Sequence, residues 1–348
     1  MRTHRTVVVV ALAALGALAA PSSQAQTPTA PPSDLGSPAG AFAAFSTDYK
    51  SLVAKALPPV TTAELARRLR ETAAEAAAEK PIALRDLRSW AALFDLKIDP
   101  AKQERGAEMI DSENASYLVD PGAGRFYIAI RHAATAPFPR QDFQKLLPEI
   151  RRAHESLAAK IGIPARQIIF TDFRETLAQS TPQPKLRDAR ETAIESVGAT
   201  TTQLRAVGGL LVDGSYVRIA SIDARRFEMV DVRWPQIRLA PEVDEKSVLA
   251  PTLLADRITE RVAATAGGKP VSVVMAVVLR PIHAAPRIYY VPSLRVGIQP
   301  KSERLRDGYR TDAGEQVYFD LVAGMEGLAD RDERDLVPES LERKRNAQ

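Results

Sequence analysis

Hydrophobic positions change period along this chain, from helical spacing in the first third to strand-like alternation beyond about residue 115. Phe42, Phe45, Tyr49, Leu52 and Val53 recur at helical intervals until Pro58-Pro59 interrupts them. Thr61-Thr62-Ala63-Glu64 has the form of a capping box, and Leu65, Leu69, Ala73 and Ala76 continue it as one apolar stripe that Lys80-Pro81 closes. Leu84, Leu87, Trp90, Ala91 and Phe94 predict a third helix.

From Ser116 the pattern predicts strands. Tyr117 to Val119 and Phe126 to Ile130 form a hairpin around Pro121-Gly122-Ala123-Gly124. A helix follows from Pro148 to Ile161: proline suits the first helical turn, where its missing N–H costs nothing, and Gly162 can take the left-handed cap. Pro164 forces the exit, Gln167 to Phe173 reads as a strand, and Leu186 to Val197 as a short helix. Ala206 to Leu239 then reads as three strands, with Asp213-Gly214 as the first hairpin turn and Asp223-Ala224-Arg225 as the second. Pro251 opens another helix, carrying Leu254, Ile258 and Val262 and ended by Gly267-Gly268. Strands are expected over Val271 to Leu279, Arg287 to Ile298 and Glu315 to Val322, with a charged loop from Lys301 to Ala313. Helices packed on antiparallel hairpins give an α+β fold class.

The landmarks recur in order. Phe126 and Phe227, Pro148 and Pro251, Gly162 and Gly267, and Pro164 and Pro270 are separated by 101, 103, 105 and 106 residues, which suggests two related modules of a helix on an antiparallel sheet. A competing register aligns His132-Ala133-Ala134 with His283-Ala284-Ala285. The organisation expected is a signal peptide at 1–25, a disordered linker at 26–41, a helical N-terminal region at 42–115, a first module at 116–239, a second at 240–324 and a charged flexible tail at 325–348.

The signal peptide is read from Arg2 and Arg5, the 14-residue apolar run Val7 to Ala20, and the small residues of Ser23-Gln24-Ala25. That run is shorter than the ~20 residues a membrane-spanning helix needs. A periplasmic or secreted location is therefore expected. The chain has no cysteine, so disulfides, a cysteine-linked lipid anchor and thiolate metal sites are excluded, and stability rests on the core. A hydrophobic fraction of 45% over about 285 ordered residues is ample for two modules. Without Arg2 and Arg5, the 47 basic residues become 45 against 43 acidic ones, which is no nucleic-acid footprint.

Histidine is where proton transfer and metal binding are first sought. Past the signal segment there are His132, His154 and His283, and none has a partner at ligand spacing. His154-Glu155 resembles the start of a zincin helix, but Ala158 stands where the second histidine belongs, and Ile150 and Leu157 flank it as a histidine satisfied within the core. No G-x-S-x-G is present, and Ser215 reads as a turn residue after Gly214. Asp307, Asp312 and Glu315 are interleaved with Arg306 and Arg310, as Asp330 to Asp335 is with arginine, and both read as solvated charge rather than as cation sites. Gly208-Gly209 and Gly267-Gly268 lack the sequence of a phosphate loop. Arg233-Trp234 and Tyr289-Tyr290 are the only aromatic sites suited to base stacking, and Trp234 fits better as a strand-end ring buried under a helix. No catalytic, cofactor-binding or metal-ligating residue is assigned, and no cofactor is expected.

The stretches GSYVRIASIDARRFEMVDVRWPQI, VPSLRVGI and GEQVYFDLVAG resemble, in layout and strand cadence, the PepSY and cystatin-like propeptide modules of secreted bacterial proteins. The resemblance spans roughly residues 141–324 and implies a binding or inhibitory role, with no protease domain following it. The function expected is a non-enzymatic envelope protein that binds another protein, a peptide or an envelope component. The alternatives are a hydrolase with His132 or His283 as its base, and a structural envelope protein.

Overall fold

The computed structural model describes residues 45–323 except 80–86, 95–101, 105–106, 112–113, 121–123, 134–136, 180–193, 242, 285–286, 302, 306–307 and 311–313. The expected signal peptide, linker and charged tail, the turn at Pro121, Leu84, Asp307 and Asp312 lie outside these residues. The chain combines helices with a large, mostly antiparallel set of strands, an α+β protein as expected. It divides into two compact units: residues 80–205 with 214–236, and the described residues up to 79 with 206–213 and those from 237 onward.

In chain order the elements are α1 (Tyr49–Ala56), α2 (Thr62–Ala77), α3 (Leu87–Leu93), β1 (Lys102–Glu104), β2 (Ala107–Asp111), β3 (Ala115–Asp120), β4 (Arg125–Ile130), β5 (Phe138–Pro139), α4 (Arg140–Ile161), β6 (Ile168–Gln179), β7 (Ile194–Val207), β8 (Leu210–Ser221) and β9 (Phe227–Arg233). Then come α5 (Ala255–Ala266), β10 (Val271–Ala284), β11 (Arg287–Pro300), the short hairpin β12 (Glu303–Leu305) and β13 (Gly308–Arg310), and β14 (Glu315–Asp320).

The first unit joins two runs of successive hairpins, β1 to β4 and β6 to β9, through the pairing of β4 with β9. β1 to β4 pair successively, β4 pairs with β9, β9 with β8, β8 with β7 and β7 with β6. Alternation explains which face is buried: Val217, Ile219, Val230, Val232, Phe126 and Ile128 point to one side, where Trp90 of α3 and Leu157, Ala158 and Ile161 of α4 cover them. Helix α4 begins at Arg140, eight residues before the expected start at Pro148. Phe143, fully buried, extends the apolar face of Ile150, His154, Leu157 and Ile161 by two turns, and this packing outweighs the backbone hydrogen bond that Pro148 removes on the exposed side. Gly162 ends the helix at φ +89°, as expected.

In the second unit β10 pairs along all its length with β11, and β11 with β14, while the start of β8 adds to β10 in parallel at Leu211 and Val212. Val271, Val273, Val277, Leu294, Val296 and Phe319 face α1, α2 and α5, whose Leu52, Leu65, Leu69, Ile258 and Val262 complete this core. Thr61 caps α2 through Glu64 N–H as the capping box requires, whereas the Glu64 carboxylate turns to Arg67 and Arg68. Helix α1 starts only at Tyr49, capped by Asp48. Phe45 is exposed ahead of it, so the apolar spacing expected from Phe42 does not continue as helix.

Three other expectations are corrected. Asp213-Gly214 is not a hairpin turn: β8 runs through it, and the turn is Gly208-Gly209, with φ of +57° and +74°, the two positive values a two-residue hairpin turn uses. Ile194 to Val197, expected at the end of a helix, belong to β7, where Ser196 pairs with Leu177; ladder pairing overrides a local helical composition. Lys102–Glu104 and Ala107–Asp111 are strands within a stretch expected to be helical.

Candidate functional site

Strand β6 forms one border of the first unit. Twelve residues long, it pairs with β7 and, among the described residues, with nothing on its other side. Its ladder to β7 is regular from Phe170 to Thr176 and irregular immediately outside, between Ile168 and Phe170 and between Thr176 and Leu177. Phe173 lies half-buried against α4, its ring 6.0 Å from that of His154 and 5.2 Å from the Arg151 guanidinium. Arg174 pairs with Asp172 on the same strand, and Glu175 accepts from Ser196 and pairs with Arg140. At the two ends stand Ile169 and Leu177, exposed at 43% and 44%, two of the four large hydrophobic residues left open among the described ones. Edge strands ordinarily carry charge or proline where their backbone is unpaired. Here charge sits at the centre and bare aliphatic side chains at the ends.

Behind this strand is a buried polar stripe. Thr201, Gln203 and Arg205 alternate along β7 toward α4, all less than a tenth exposed. His154, 1% exposed, lies between two hydroxyls, with Nδ1 2.7 Å from Thr201 Oγ1 and Nε2 2.8 Å from Ser221 Oγ. Burial pushes its imidazole down to about 4, so it is neutral at pH 7. It is satisfied within the fold, as its sequence position suggested. Arg205 donates to Gln167 Oε1 and Pro235 O and stacks 4.7 Å above Trp234, whose ring is buried under this layer.

His132 is exposed and places Nε2 2.7 Å from the Phe227 carbonyl, which fixes that nitrogen as the donor. The backbone of His283 pairs with Ile288 on β11; its side chain is outside the described residues. His132 thus donates to a main-chain oxygen, and its ring also interacts electrostatically with the Glu228 carboxylate, whose pKa burial pushes up. Ser215 is buried and donates to Arg233 O from within β8. Glu315 pairs with Arg261. Among the described residues no three or more His, Asp or Glu side chains gather as a metal would need, and no helix is long and apolar enough to cross a membrane.

The reading from sequence missed the charged networks on the strand faces opposite each core. In the first unit Tyr216 donates to Asp231 Oδ2 at 2.7 Å, with the Arg218 and Arg233 guanidinium groups each 5.3 Å from its ring; burial and then the Asp231 carboxylate push its phenol up to about 12. In the second, Arg280 reaches both oxygens of fully buried Asp320 at 2.9 Å, and Ser293 donates to the same carboxylate at 2.6 Å. Beside it Asp213 accepts from Arg295 at 2.7 Å and from Tyr318, whose phenol is raised by burial and by that carboxylate. The first network lies within the β8–β9 hairpin and the second joins strands distant in sequence, and in both only alternation with core positions could have marked the residues as one face.

Compared with known proteins, the chain matches no family model, and neither curated proteins nor solved structures give a significant match.

Proposed function

We propose that this protein is a non-enzymatic binding module of the bacterial envelope whose partner is an extended polypeptide segment added as a strand alongside β6. The observation that carries the reading is the twelve-residue β6, unpaired on one side among the described residues, with exposed Ile169 and Leu177 near its ends. Strand addition draws affinity from main-chain hydrogen bonds and specificity from alternate side chains. The charged residues at the centre of β6 and the aliphatic ones at its ends favour a segment that is polar in the middle and apolar at both ends. The N-terminal apolar run supports export.

Two related modules are part of the proposal. Apart from the two-residue β5, β4, α4, a left-handed glycine at 162, β6 and β7 follow the same order as β9, α5, a left-handed glycine at 267, β10 and β11. That order is the one expected of duplicated PepSY or cystatin-like units.

The test selects binders from a displayed library of linear nonapeptides and maps the best of them by amide hydrogen exchange. Slower exchange confined to β6, abolished by Ile169→Lys with Leu177→Lys, is the expected result. Selected peptides that protect another surface and leave β6 unchanged would refute the proposal.

A further inference from the structure

We infer that the resting occupant of the β6 edge is the β6 strand of a second copy of this chain, so that the free protein is a dimer and a partner segment must compete with it. The inference rests on the strand-addition reading above. The regular part of the β6 ladder, Phe170 to Thr176, is centred on Phe173. A two-fold axis through Phe173 makes this strand self-complementary in the antiparallel sense. Asp172 then lies opposite Arg174 of the second copy, and Arg174 opposite its Asp172, so four charges close a square whose other sides are the pair already present within each strand. Phe173 meets Phe173 on the face toward α4. Ile169 comes opposite Leu177 at both ends, which covers two of the large hydrophobic residues that each copy leaves exposed. One axis satisfies the charges and the apolar ends together, and a C2 interface of this kind requires such self-matching.

The test exploits the crossing of charges. Asp172→Arg makes both positions basic, and Arg174→Asp makes both acidic. In either variant the pair within the strand is lost and the strand repels its own copy. Mixed, the two variants restore opposite charges only across the interface. Sedimentation equilibrium of the full chain should show a wild-type dimer of 37.9 kDa chains, self-association weakened at least about tenfold in each variant, and recovery to near the wild-type constant in the equimolar mixture. A monomeric wild type, or a mixture no tighter than either variant alone, overturns the inference. A selected peptide titrated into the wild type separates the two proposals. Peptide binding to β6 of a chain monomeric throughout retires self-pairing and keeps strand addition. A heterodimer that forms while no peptide dissociates it keeps self-pairing and retires strand addition.

Discussion

Protonation of His154 is the perturbation with the clearest consequence. The imidazole is 1% exposed and both its nitrogens face hydroxyl groups. A hydroxyl can donate to one nitrogen and accept from the other, so the neutral ring is fully hydrogen-bonded; the charged ring would need both hydroxyls to accept, which rotation of Thr201 and Ser221 also permits. The cost of charging is therefore desolvation rather than lost geometry, and burial is the cause of the fall to about 4. Since the unfolded chain titrates near 6.5, the unfolded state holds the extra proton between those values. Stability from this group is complete above about pH 6.5, is lost as pH falls toward 4, and changes no further below that. At about 1.36 kcal/mol per pH unit the loss approaches roughly 3 kcal/mol. Urea unfolding of the wild type and of His154→Gln at pH 7.5, 6.5, 5.5 and 4.5 measures it, because carboxylates and the other histidines titrate alike in both proteins and cancel in the difference. The stability difference should shrink, or reverse in favour of the glutamine variant, by about 2 kcal/mol or more over this range. A difference that stays within about 0.5 kcal/mol from pH 7.5 to 4.5 would refute the burial argument.

Arg280→Met should cost about 3–5 kcal/mol, because it strands the fully buried Asp320 carboxylate; adding Asp320→Leu to it should recover much of that loss, as a double-mutant cycle by thermal unfolding would read. Gly208→Ala should destabilise by more than the usual ~1 kcal/mol of a glycine replacement, since the new carbon would lie 2.5 Å from the Thr72 backbone nitrogen at φ +57°, and amide exchange in α2 should accelerate. Tyr216→Phe should cost about 1–3 kcal/mol by removing a donor from Asp231, whose buried Oδ1 has no hydrogen-bond partner among the described residues, and should abolish the phenol titration near pH 12 in an ultraviolet absorbance titration.

How far the fold was legible follows from the range over which each signal acts. The N-cap at Thr61, the left-handed cap at Gly162 and the helix end at Gly267 are decided within a few residues, and each stands where the pattern put it, although the Glu64 half of the capping box does not form. The start of α4 was misplaced because proline near a helix start is a local cue, while Phe143 is held by residues remote in sequence such as Ala199. The polar networks and the β6 edge were invisible for the same reason. Ile169 lies inside the expected strand and Leu177 beyond its expected end at Phe173, and nothing in their sequence windows marks either as an edge residue; only the absence of a paired strand beyond β6, among the described residues, leaves them exposed.

The misassigned turn shows why local rules run out at that point. Gly208-Gly209 and Asp213-Gly214 lie five residues apart, and both have turn chemistry, with φ positive at Gly208, Gly209 and Gly214. Two hairpin turns that close together would leave a strand too short to bury anything. The pair that docks on a helix takes the turn: Gly208 N–H donates to Glu75, Arg68 donates to Gly209 O, and Thr72 donates to the Val207 carbonyl. Asp213-Gly214 then serves another purpose. Before it the buried positions of β8 are even-numbered, Leu210 and Val212; after it they are odd-numbered, Ser215, Val217, Ile219 and Ser221. One glycine with positive φ supplies the extra residue that exchanges the faces of a strand without ending it. Leu210 and Val212 can therefore serve the core beneath α2 and α5, and Val217 and Ile219 the core beneath α4, from a single continuous strand. Replacing Gly214 by alanine should destabilise the fold to urea although the added Cβ would meet nothing within 4 Å, since the cost lies in the backbone angle of φ +70° alone.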